Sequence, residues 1–241
     1  FFVNDVIAMP DGTFVGVGQS AETDAGPALG WLVSLAPDGA VAWQRYLGGG
    51  PDLNVSLDAG IVTSDGGIAV TGWVATAGGE DVLVAKLDAS GAVAWAASVG
   101  GTSADRGTAL AELPGGDLAI AGVTDSFTAS GHAGWVMRFA ASGALAWNAV
   151  LGDAEWSDLQ AATLGAGGEV VVLGRVSEPG LPTNDLWALG LEPSSGAIAW
   201  QRAYEGTSGD HGSEVLRLAS GDLLLAGVWA WGFPEEDLWL L

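Results

Sequence analysis

An all-β chain built from one antiparallel four-stranded unit written five times is what this sequence predicts, and three periodic series predict it. Trp31, Trp135, Trp187 and Trp239 share a 52-residue register whose one vacancy, position 83, holds Leu. Gly39, Gly91, Gly143 and Gly196 recur at intervals of 52, 52 and 53, each followed four positions later by Trp43, Trp95, Trp147 and Trp200. Gly12, Gly66, Gly116, Gly168 and Gly221 each precede, by six residues, Gly18, Gly72, Gly122, Gly174 and Gly227. A period held this closely over four or five copies marks a repeat architecture.

Each copy divides into four short strands. Asp81 to Leu87 reads DVLVAKL and turns through Asp88-Ala89-Ser90-Gly91 into AVAWAASV, a hairpin signature. The Gly-rich connection GGTSADRG leads to TALAELP, which turns at Gly115-Gly116 into DLAIAGV. No segment keeps an apolar 3.6-residue period over three turns, so helices are not expected. The repeats fall at approximately 1–29 plus 237–241, 30–80, 81–133, 134–184 and 185–236.

A single four-stranded meander has two apolar faces and buries neither alone. Units of this length therefore stack face to face, and the sequence predicts a β-propeller in one domain, 1–241, with recurrent indoles filling the space between blades. On this register the chain starts in a third strand and stops within a first. One blade is then expected to be split between the termini and to lack a strand, which either a continuation of this chain or another chain would complete, unless the ring is larger than five blades and this is a portion of it.

The strings LGGGPDLNVSLDAGIVTSDGGIAVTGWVA, VGGTSADRGTALAELPGGDLAIAGVTDS and LDASGAVAW resemble the bacterial β-propeller repeat family called SBBP. The resemblance runs through all five copies, is strongest from Gly100 to Ser126, and weakens where GDAEWSD replaces the GG loop. It implies a propeller in a secreted or surface-attached bacterial protein, extracellular or periplasmic, without an assigned activity. The element DASGAVAW also resembles the hairpins of quinoprotein and Asp-box propellers.

Composition excludes several classes. Seven basic against 29 acidic residues give a net charge of -22, which repels phosphate backbones and anionic membranes. The absence of cysteine removes disulfide and zinc-thiolate chemistry. No apolar run is long enough to insert in a bilayer. The opening FFVNDVIAMPDG fits the repeat and has no basic n-region, so it does not read as a signal peptide.

Function is expected on the connections after the second and fourth strands, where 17 of the 29 acidic residues fall. Asp52, Asp105, Asp158 and Asp210 recur there, one per copy. Short aspartates in Gly-rich loops accept backbone N–H groups and hold turns, and one per copy fits that role; calcium is the cation the same oxygens would suit. Denser ion candidates are Asp153, Glu155 and Asp158, and Glu235, Glu236 and Asp237, although neither set has an EF-hand spacing. No cofactor is expected. His132 and His211 read as loop histidines, and no G-x-S-x-G elbow joins Ser, His and Asp. Aromatics that break the repeat, Trp73, Trp156, Trp229, Trp231 and Phe233, are the binding candidates, Trp73 excepted because it lies in a strand. They either cover a blade edge or engage a protein or a glycan. The expected function is a noncatalytic scaffold or binding domain. An enzyme with a site at the channel mouth, quinoprotein-like, lyase or hydrolase, is the alternative, and a subunit of a larger extracellular assembly is a third reading.

Overall fold

The turn glycines set the strands. In the computed structural model, which describes residues 1–21, 27–48, 53–128, 131–152, 156–177, 184–204, 209–230 and 236–240, all nine glycines of the two turn series have φ between +72° and +94°. That is a conformation L side chains rarely adopt. Each closes a hairpin by donating its N–H to a carbonyl three or four residues earlier, as Gly91 does to Asp88 at 2.9 Å and Gly196 to Glu192 at 2.8 Å. For Ala21, Trp229, Ala230 and 236–240 only the backbone is described.

The strands form five antiparallel sheets. The first contains β1 (Phe2–Ala8), β2 (Phe14–Ala21), β3 (Ala28–Leu35) and β4 (Val41–Leu47), in that order. The second contains β5 (Val55–Val62), β6 (Ile68–Ala75), β7 (Glu80–Leu87) and β8 (Val93–Val99). The third orders β9 (Asp105–Glu112), β10 (Leu118–Thr124), β11 (Ala133–Phe139) and β12 (Leu145–Leu151), and the fourth β13 (Ser157–Leu164), β14 (Val170–Ser177), β15 (Asn184–Leu191) and β16 (Ile198–Tyr204). The fifth has three strands among the described residues, β17 (His211–Arg217), β18 (Leu223–Ala230) and β19 (Glu236–Leu240). No helix in the described residues is long and apolar enough to cross a membrane.

These sheets correct the phase of the repeat. Sheet one draws all four strands from one continuous segment, so residues 1–29 ladder with residues 30–47 rather than with 237–241. The expected split blade is therefore not the arrangement found. The segment 81–133 likewise holds the last two strands of one sheet and the first two of the next. Periodicity fixes spacing and leaves phase open, because both kinds of connection on this side are Gly-rich and similar in length. The Asp-bearing loops prove to be crossings between sheets, and Asp105 serves there by accepting the Gly101 N–H at 2.8 Å.

The chain forms two compact units, Phe1–Leu110 and Ala111–Leu241. In the first, β5 packs on β1, β2 and β3, and Ile7, Val17, Leu32, Val55, Leu57, Ile68, Val70 and Leu87 form the buried core. In the second, β13 packs on β10 and β11, and β17 packs on β13, β14 and β15, around Val171, Leu173, Leu186, Ala188 and Val215. Middle strands such as β10 are buried along their whole length, while the fourth strands β4 and β8 alternate and leave one face in water.

Trp135 and Trp187 are buried as the register predicts, at 1% and 6% exposure. Trp31 is half-buried, and its Nε1 donates to Gln44 as that of Trp135 does to Asn148. The second indole series has a different task. The Trp43 ring lies 3.0 Å from where a Cβ on Gly91 would sit, and Trp147 lies 2.7 Å from the same point on Gly196. Each indole thus covers the turn glycine of the following sheet, and Trp147 Nε1 also donates to the Pro193 carbonyl in that turn at 2.9 Å.

Candidate functional site

The first strands β1, β5, β13 and β17 each carry a β-bulge, with the register slipping between Val3 and Asp5, Leu57 and Ala59, Leu159 and Ala161, and Gly212 and Glu214. The second glycine series lies opposite. Gly18, Gly72, Gly174 and Gly227 pair with the residue before each slip, and a Cβ there would meet the carbonyl oxygen of Phe2, Ser56, Asp158 or His211 at 1.9 to 2.3 Å. These glycines make room for the bulge carbonyl.

The bulge pushes one residue per strand out of the ladder, and it is polar each time: Asn4, Asp58, Gln160 and Ser213. Each stands eight residues before a turn glycine, an offset that Thr108 shares. This series was the missed signal, a polar residue recurring within an otherwise apolar strand. In the first unit the two bulge residues are engaged. Asn4 Nδ2 donates to Leu57 O at 2.9 Å and approaches Asp58 Oδ1 at 3.4 Å, while Ser56 Oγ donates to Asp58 at 2.7 Å. Burial raises the Asp58 carboxyl above its ordinary range, with the Ser56 hydrogen bond opposing.

In the second unit Gln160 and Ser213, together with Arg175 and His211, line an open cleft of about 290 Å³. Arg175 is the fixed point. Its Nε and Nη2 both reach Asp158 Oδ2, at 2.9 and 2.8 Å, and its guanidinium carbon stands 4.2 Å from the Trp156 ring centre. Asp158 is 4% exposed at the side chain, and its Oδ1 is buried without a hydrogen bond among the described residues. On the same indole His132 stacks at 4.8 Å and 13°, and its Nδ1 is 2.7 Å from Asp125 Oδ1. Trp156 is therefore already in use within the chain, rather than standing as an open stacking platform. Trp73, the other described indole that breaks the repeat, also carries an arginine, Arg106, which pairs with Glu80.

The ladder also separates Asp158 from its supposed counterpart. Asp158 pairs with Arg175 one residue beyond the bulge glycine partner, and His211 pairs with Val228 at that place, so Asp210 aligns with Ser157. Ser157 does the turn-holding work instead, accepting the Gly134 N–H and donating to Leu151 O, both at 2.9 Å. A one-residue slip flips a side chain to the other face of a strand, which sends Asp158 to Arg175.

Among the metal candidates, Asp158 has one carboxylate oxygen engaged by Arg175, Asp153, Glu155 and Glu235 lie outside the described residues, and Glu236 and Asp237 are described by backbone only. Among the described residues no three His, Asp or Glu side chains converge. Of the binding candidates, Trp231 and Phe233 lie outside the described residues and Trp229 is described by backbone only.

A carboxylate pair lies in the first unit. Asp81 Oδ1 and Asp105 Oδ2 lie 2.3 and 2.8 Å from the point a Cβ on Gly100 would occupy, and Asp81 Oδ1 is buried without a hydrogen bond among the described residues. Burial first, and the Asp105 charge second, raise the Asp81 carboxyl above its ordinary value. The folded chain therefore holds this proton more tightly than the unfolded chain. Stability falls as pH rises from the ordinary carboxylate range through the raised value. Asp81→Asn removes that loss, so its melting temperature is expected to exceed the native one at pH 7, with the difference vanishing below about pH 3. Thermal unfolding at both pH values checks it; a melting temperature lowered at pH 7 would refute it.

No family model matches the chain, and no curated protein matches it. Solved structures do share its fold. Sqt1 of Chaetomium thermophilum, solved bound to the N-terminus of the ribosomal protein L10, superposes with a TM-score of 0.58 at 14% identity, over 93% of this chain and 56% of its own. The polysaccharide lyase Uly1 gives 0.58 at 12% identity, over 97% and 56%, and the Pan2 WD40 domain of Neurospora crassa 0.52 at 10%, over 94% and 61%. This chain thus spans a little over half the length of these three structures. At such identities the likeness concerns fold alone, and WD40 domains are propellers. What the likeness shows is a propeller-like all-β fold, shared in architecture with the lyase, with Sqt1 and with the Pan2 WD40 domain, and no family beyond that.

Proposed function

We propose that this chain is a noncatalytic binding module of an exported bacterial surface protein, holding a protein or a glycan on the second unit around Trp156 and Arg175. The observation that carries this reading is the preorganised arginine, stacked on an indole and paired with a buried carboxylate beside an open cleft. A guanidinium fixed on two sides loses little freedom when it meets a ligand, which favours binding. His211 and Ser213 share the cleft, yet no hydrogen bond joins them and Asp158 is turned to Arg175. The base of a nucleophilic pair is ordinarily oriented by a third group, and here the nearby carboxylate of Asp158 is given over to holding Arg175. The exported location is carried by the repeat resemblance and the acidic surface.

The test is a screen of the native chain and Trp156→Ala against immobilised glycans and purified extracellular matrix proteins. Removing the indole frees Arg175, so the signal is expected to fall about fivefold or more. Equal binding by both chains would refute a site at Trp156. Release of cleaved product from any bound ligand would overturn the noncatalytic reading.

A further inference from the structure

We propose that the cleft between β13, β14 and β17 holds a neutral, hydroxyl-rich sugar unit; this deepens the binding-module reading and rests on it. Gln160 and Ser213 are the unpaired residues of two β-bulges in neighbouring sheets of one unit. A bulge releases a residue from the ladder and re-aims its side chain. Here both residues line a single cleft with Arg175 and His211. At the matching positions of the first unit, Asn4 and Asp58 satisfy one another and their neighbours. Among the described residues of the second unit no such closure occurs. The side chains of Gln160, His211 and Ser213, and Nη1 of Arg175, make no hydrogen bond among the described residues.

The unused groups specify the ligand. The Gln160 amide and the Ser213 hydroxyl each donate and accept, a neutral imidazole offers one of each, and Arg175 Nη1 donates. Sugar hydroxyls also do both, so a few of them can satisfy the whole set. A carboxylate only accepts, and the Nε–Nη2 edge of Arg175 that would grip it side by side is already taken by Asp158. Asp158 also cancels the Arg175 charge, and the net charge of -22 disfavours anionic sugars further. A protein partner would bring an apolar anchor, for which this polar lining offers no seat. A volume of about 290 Å³ lies at the small end of ligand sites and suits a short stretch of sugar.

The experiment is an amide NMR titration of the native chain with the methyl glycosides of glucose, galactose and mannose, and with glucuronate and galacturonate. The neutral glycosides are expected to shift the resonances of Gln160, Arg175, His211 and Ser213, and the uronates to shift them less at equal concentration. The double variant Gln160→Ala/Ser213→Ala should bind about tenfold more weakly. Its melting temperature should stay unchanged, because both side chains are exposed. Absence of shifts at these four residues with every neutral glycoside overturns the proposal, and so does tighter binding of a uronate. If either occurs while Trp156→Ala still abolishes capture on the glycan or protein surfaces, the sugar assignment fails and the binding module stands. If Trp156→Ala changes nothing there, both fall.

Discussion

Gly174→Ala is expected to destabilise the chain by roughly 3–5 kcal/mol, because its new methyl would sit 1.9 Å from the Asp158 carbonyl oxygen and 2.8 Å from the Leu159 Cα. Neither neighbour is the end of a flexible side chain. Relief would require the β13 bulge to move off β14, breaking the ladder where Leu159 pairs with Gly174. The comparison variant is Gly168→Ala, six residues earlier. There φ is +88° and a Cβ would meet nothing within 4 Å, so the loss is the conformational penalty alone, roughly 1–2 kcal/mol. Thermal unfolding should place the Gly174 variant on the order of 10 °C below native and clearly below Gly168→Ala. Equal losses would mean that the bulge is not held where the carbonyl crowds this glycine. The same ordering is expected for Gly72 against Gly66, whose methyls would meet Ser56 O at 2.1 Å and open space.

That contrast also shows how much was legible in the sequence. The period, the strand content and both turn series could be read because turn glycines and alternating apolar residues are local signals, each needing only its own few neighbours. Phase was not local. Whether GGTSADRG or the connection before Asp81 joins strands within a sheet depends on ladder bonds between segments tens of residues apart, and the two loops look alike in composition. The site was legible in part. Trp156 stood out because it broke the repeat, but its partners could not be read: Arg175 and His132 lie well away from it in sequence, and only the fold brings them to one ring. Gln160 and Ser213 were hidden for the opposite reason, since they obey the repeat. Polar residues eight before each turn glycine form a regular series whose meaning appears only once the register slip puts them outside the ladder.

Removing Arg175 is expected to do more damage than removing its partner, and the asymmetry follows from where each charge lies. The Asp158 side chain is 4% exposed and already has one oxygen without a hydrogen bond, whereas the Arg175 side chain is 32% exposed. Arg175→Met leaves a carboxylate buried without its counter-charge. A fully buried pair broken this way loses about 3–5 kcal/mol, and partial exposure of the guanidinium lowers the expectation here to about 2–4 kcal/mol. Asp158→Asn leaves an arginine that reaches water and keeps its place on Trp156, so its loss should be about 1 kcal/mol. The double variant should recover much of the Arg175→Met loss, because the buried charge is gone together with its partner, giving a coupling of about 2–3 kcal/mol in a double-mutant cycle. Chemical denaturation of the four chains measures it. If Arg175→Met and Asp158→Asn lose the same amount and the double variant loses their sum, the ion pair is not what fixes Arg175, and the preorganised donor on which the proposed site depends would have to be held by the indole alone.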